Sequence, residues 1–191
     1  FADVTGEVGL RTDAGRQLAA VFGDIDGDGR VELLVRSEEG EIAIYWGSGE
    51  GIDPANCTEL PIEQEQEDDS NEAAIDRATA EYIQDARPLV QVIHLGEQPH
   101  IFAARPHSAL LIPVHNDRQF GSPWTFACTH PMAAAVGDVS GDGHQDIVFA
   151  CRQPDGESEC SWIYWGDDQG FSEDRRTPLP TYRACDVALD D

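Results

Sequence analysis

Short runs of Val, Ile, Leu, Phe, Tyr and Trp alternate with clusters of Gly, Asp and Pro along most of this chain. That rhythm predicts short β-strands joined by turns rather than helices. Runs such as Val31-Glu32-Leu33-Leu34-Val35 are nearly continuous in apolar residues. They fit inner strands covered on both faces. Residues 19–52 and 133–171 repeat one order of features: a small apolar strand, an Asp-rich turn, an apolar strand, a hairpin, an Ile-Tyr-Trp-Gly strand and a closing Gly turn. Residues 89–121 keep the strand rhythm without the Asp cluster, and a further lead-in begins at Arg183.

The expected fold is therefore all-β, with antiparallel units at roughly 17–52, 89–121 and 131–171 and another starting at 183. Units of about 35–50 residues with three or four strands have the size of propeller blades. The expectation is a partial β-propeller of about three blades plus the start of a fourth. A ring needs at least four, so further blades are expected from the same or another chain. Residues 53–87 break the pattern and read as an insertion. An acidic run is followed by Ala73, Ala74, Ile75, Ala78, Tyr82 and Ile83 at helical spacing, with Ser70 or Asn71 as cap, which predicts one short helix.

Charge narrows the function classes. The 191 residues hold 37 acidic and 12 basic side chains, for a net charge of -25, and every basic residue is Arg. Without Lys there is no Walker-type nucleotide site, no Schiff base and no lysine nucleophile. The excess negative charge opposes nucleic acids and anionic membranes. It suits cations, or a salty or extracellular medium where screening is strong. No apolar run approaches the ~20 residues of a spanning helix, so membrane insertion is not expected.

The acidic loops supply the candidate chemistry. Asp24, Asp26, Asp28 and Glu32 stand at positions 1, 3, 5 and 9 of one loop; Gly29 allows the turn and Arg30 offers its carbonyl. In the second loop the corresponding residues are Asp138, Ser140, Asp142 and Asp146, with Gly143 at the turn and His144 offering its carbonyl. Carboxylates converging on a tight loop suit a hard divalent cation with six to eight oxygen ligands, and two Ca2+ sites are expected. The helix-loop-helix calcium motif is excluded, because its position 12 Glu is replaced by Val35 and Phe149 in strand-like runs. The alternative for either loop is an ion-free Asp-Gly turn, which the acidic convergence already disfavours for one loop. Two loops in register with the same flanking strands argue against it. The first loop, with four carboxylates against three, is expected to bind more tightly.

The segments FGDIDGDGRVELLV and VGDVSGDGHQDIVFA, each followed by IYWG and a Gly turn, resemble FG-GAP/VCBS repeats. These are the calcium-binding blades of integrin α-chain propellers and many secreted bacterial proteins. The opening FADVTGEVGL resembles the start of cartilage-acidic-protein-like members. The resemblance implies a β-propeller, calcium in the blade loops, and adhesion or recognition outside the cell or at its surface. Ser140, where the pattern usually has Asp or Asn, departs from it.

Five cysteines and pervasive acidity favour an oxidising compartment. Cys151 and Cys160 flank one hairpin tip and are expected to pair. Cys128–Cys185 is the next candidate pair, leaving Cys57. The six His show no metal-site spacing, and no nucleophile motif is present. Tyr45, Trp46, Tyr164 and Trp165 suit packing between blades better than sugar stacking. Taken with what the resemblance implies, these features lead to the expectation of a non-enzymatic, calcium-binding module for adhesion, recognition or assembly, with a protein or glycan ligand that the sequence does not identify. The alternative is a carbohydrate-binding propeller, or one attached to a polysaccharide-acting enzyme.

Overall fold

The computed structural model describes residues 17–37, 41–60, 90–105, 107–152, 160–182 and 184–189. The opening FADVTGEVGL, the acidic run and helical stripe within 61–87, and Arg183 lie outside these residues. The described residues form twelve β-strands and no α-helix. They build three four-stranded sheets, each antiparallel.

The first sheet is a meander of β1 (Gln17–Gly23), β2 (Glu32–Ser37), β3 (Ile42–Ser48) and β4 (Gly51–Leu60). The second runs β5 (Val90–Leu95), β6 (Gln98–Ala104), β7 (Ser108–Pro113) and β8 (Trp124–Ala127). The third runs β9 (Pro131–Gly137), β10 (Asp146–Cys151), β11 (Cys160–Tyr164) and β12 (Arg176–Pro180). The leading strands β1, β5 and β9 lie side by side in that order.

Period-two alternation explains how the sheets stack. In β6, Ile101 and Ala103 face the first sheet and pack with Leu34, Ile42, Ile44 and Trp46. Phe102 and Ala104 face the third and pack with Phe149 and Tyr164. The middle sheet is therefore buried on both sides, which accounts for the near-continuous apolar runs of β6 and β7. A clasp reinforces the second contact. The Tyr164 hydroxyl lies 3.0 Å from the Ala127 carbonyl oxygen and from both carboxylate oxygens of Glu173. Glu173 also accepts the Ala127 N–H at 2.9 Å. Arg176 donates to the Tyr164 hydroxyl at 2.9 Å, its guanidinium 4.2 Å from the Trp162 ring centre.

Two expectations need correction. Residues 53–60 are not the start of an insertion; they complete β4. Its polar, proline-containing sequence conceals an edge strand. Pairing with β3 is interrupted between Tyr45 and Gly47, and Pro54 falls in the unpaired stretch between Ile52 and Cys57. Proline is tolerated there because no ladder bond is lost. Likewise β8 and β12 extend the second and third sheets beyond 121 and 171.

The second correction concerns disulfides. Cys151 and Cys185 are free thiols, so neither Cys151–Cys160 nor Cys128–Cys185 is formed. Cys151 is turned into the core between the second and third sheets. Regular β10–β11 pairing ends at Phe149↔Trp162, before the cysteines. Cys128 is buried in that same core whereas Cys185 is exposed.

Candidate metal centre

Each acidic loop bridges the first two strands of its sheet, entered and left through matching pairs, Gly23↔Glu32 and Gly137↔Asp146. Both loops turn on two left-handed glycines, Gly27 (φ 74°) and Gly29 (φ 83°) in the first, Gly141 (φ 74°) and Gly143 (φ 91°) in the second. Only glycine adopts this region without steric cost. The two loops thus share backbone conformation at their turn glycines.

The first loop gathers its aspartates. Carboxylate oxygens of Asp24, Asp26 and Asp28 all lie within 4.8 Å of one another, close enough to share one cation. Local hydrogen bonds aim them. Asp24 Oδ2 accepts the Gly29 N–H at 2.9 Å, Asp26 Oδ1 the Asp28 N–H at 3.2 Å, and Asp28 Oδ1 the Arg30 N–H at 2.9 Å. Asp24 Oδ1 is buried without a hydrogen-bond partner. A buried carboxylate oxygen left unsatisfied is costly, and a cation at this point would remove the cost.

Glu32 does not join this convergence. It is wholly buried, and its two oxygens accept the N–H groups of Ile25 at 2.7 Å and Gly47 at 3.2 Å. Burial raises its pKa, opposed by the bond from Ile25 and reinforced by the charge of Asp26. Asp146 does the same work in the second loop. It accepts from Val139 at 2.9 Å and Ser140 at 3.1 Å through Oδ2, and from Gly166 at 2.9 Å through Oδ1. Position 9, expected as a ligand in both loops, ties the loop to the Gly of the Tyr-Trp-Gly strand.

The second loop is arranged differently from the first. Asp138 accepts three N–H groups, from Gly141 at 2.7 Å, Asp142 at 3.0 Å and Gly143 at 2.8 Å. Asp142 accepts the His144 N–H at 2.9 Å, and chiefly through that bond its carboxyl is held below its ordinary pKa. Ser140 adds a side-chain bond to Asp142. Asp138, Asp142 and Asp146 do not form a group as close as the first loop's. Between the two lies the middle sheet, where β5 and β6 close through Gly96 and Glu97 alone and His94 pairs with Pro99 inside the ladder.

One residue at the first loop carried no sequence signal. Arg118, on the turn after β7, donates its Nε–H to Asp26 Oδ2 at 3.0 Å from across the sheet boundary. Its guanidinium lies 4.7 Å from the Trp46 ring centre. The separation of 92 residues left nothing local to read. The repeated aromatics are packed: Tyr45, Trp46 and Tyr164 are buried, and Trp46 and Trp165 each donate Nε1–H at 2.8 Å to a threonine, Thr58 and Thr177. Comparison with protein families, characterised proteins and solved structures finds no match to this chain.

Proposed function

We propose that the three sheets are successive blades of an FG-GAP/VCBS-like β-propeller whose first acidic loop binds Ca2+, and that the module serves non-catalytic recognition or adhesion outside the cell. The observation that carries this reading is the convergence of Asp24, Asp26 and Asp28 on a loop whose buried Asp24 Oδ1 lacks a partner. Oxygen-only ligands on a glycine-hinged loop favour a hard cation such as calcium over zinc or copper. Two further observations support the blade reading. The loops share register and glycine conformation. The leading strands β1, β5 and β9 also lie side by side, as strands around a common axis would.

The second loop is a weaker calcium site in this reading, since Asp138 is largely consumed by backbone N–H groups. Affinity near the ~10⁻⁴ to 10⁻³ M of extracellular modules would suffice where calcium is abundant. Thermal melts in excess calcium and in EDTA, at fixed ionic strength, test the reading. A higher melting temperature in calcium is expected; coincident melts would remove it.

A further inference from the structure

We infer that Arg118 is a built-in counter-cation of the first acidic loop, and that it competes with a divalent ion for Asp26 while joining the first sheet to the second. The inference rests on the cation reading of that loop and adds how its affinity is set. Asp26 is almost completely buried, at 2% exposure, and a buried carboxylate needs a partner charge. The structure supplies one from the neighbouring sheet through the 3.0 Å Nε–Oδ2 bond.

Three features hold Arg118 in this position. Its backbone is left-handed (φ 62°), an uncommon conformation for a non-glycine residue, and its N–H is bonded to the His115 carbonyl at 2.9 Å. Its guanidinium rests on Trp46, whose ring also meets Phe120 of the same turn at 6.5 Å. The turn also brings Asn116 close to Gly27 of the loop.

A divalent ion bound by Asp24, Asp26 and Asp28 would sit beside this guanidinium. Like charges at such a distance repel, and both cations draw on the same carboxylate. Each therefore weakens the other's hold, and linkage makes the effect reciprocal. Without the ion, Arg118 keeps Asp26 paired and the sheets joined. With it, the ion shares the neutralising of Asp26.

The test is calorimetric titration with CaCl2 of the wild-type chain, Arg118→Met and Arg118→Lys, with thermal melts of each in EDTA and in saturating calcium. Met keeps an apolar side chain against Trp46 and removes the charge; Lys keeps the charge. Arg118→Met is expected to bind calcium about tenfold more tightly. It should melt below wild type in EDTA, with the gap narrowing in calcium. Arg118→Lys should bind close to wild type. Calcium binding that is equal or weaker in Arg118→Met, with wild type binding normally, overturns the competition and leaves the cation site standing. No calcium heat in any of the three proteins overturns the cation reading and the competition with it.

Discussion

Gly47 donates its backbone N–H to Glu32 Oε1 at 3.2 Å, and a Cβ at Gly47 would stand only 2.9 Å from that oxygen and 2.6 Å from the Val31 carbonyl oxygen. In the third sheet Gly166 likewise donates its N–H to Asp146, and a Cβ there would clash with the Gln145 carbonyl. The glycine of the Tyr-Trp-Gly strand is required because its backbone must reach a buried carboxylate at the root of the loop. Gly47→Ala should destabilise the fold by about 1–3 kcal/mol through overpacking alone. Urea unfolding measures this; an unchanged midpoint would show that the loop root yields at no cost.

The Tyr164 hydroxyl serves two neighbouring sheets at once, through Ala127 and Glu173. Tyr164→Phe keeps the ring in the aromatic cluster and removes only those bonds. The expected loss is about 1–3 kcal/mol, since the partners are left short of a donor in a partly buried place. A denaturation midpoint equal to wild type would mean that Arg176 alone satisfies them.

His130 gives the fold a pH dependence of definite sign. Burial, then the charges of His107 and Arg152, lower its pKa from 6.5 to about 4. The unfolded chain thus binds more protons between those values. The stability associated with neutral His130 is complete above pH 6.5 and is lost as pH falls towards 4. The full loss is about 3 kcal/mol. His130 has φ 47°, which Asn tolerates, so His130→Asn is a suitable comparison. The stability difference between wild type and variant should change across this window. Parallel curves would assign the acid sensitivity to other groups.

The free thiols differ in access. Cys185 is exposed and Cys151 buried. Ellman's reagent should label Cys185 promptly in the native protein and Cys151 only on unfolding. Finding Cys151 unreactive even after denaturation without reductant would reinstate a bridge.

Much of this was legible in the chain and some was not. The strand–turn–strand rhythm announced β1 to β3 and β9 to β11, because inner strands are apolar on both faces. Asp53–Leu60 was hidden because an edge strand needs little apolar patterning and tolerates Pro54. The aspartates of the first loop announced themselves by spacing. Spacing did not distinguish Glu32 and Asp146, whose carboxylates turn back onto backbone N–H groups, from the aspartates that converge in the first loop. Arg118 was invisible because its partner lies in another sheet.

In the proposed reading, Asp24, Asp26 and Asp28 together hold one calcium ion. The most direct measurement follows backbone amide resonances during a calcium titration of wild type and Asp24→Asn. Gly29 is the reporter, because its N–H is bonded to Asp24 Oδ2. The Gly27 and Gly29 amides should shift saturably in wild type. Gly141 and Gly143 should respond only at higher calcium, and Asp24→Asn should abolish the first-loop response while sparing the second. Amides of the first loop that stay fixed as calcium rises, or that move equally in the variant, would contradict it.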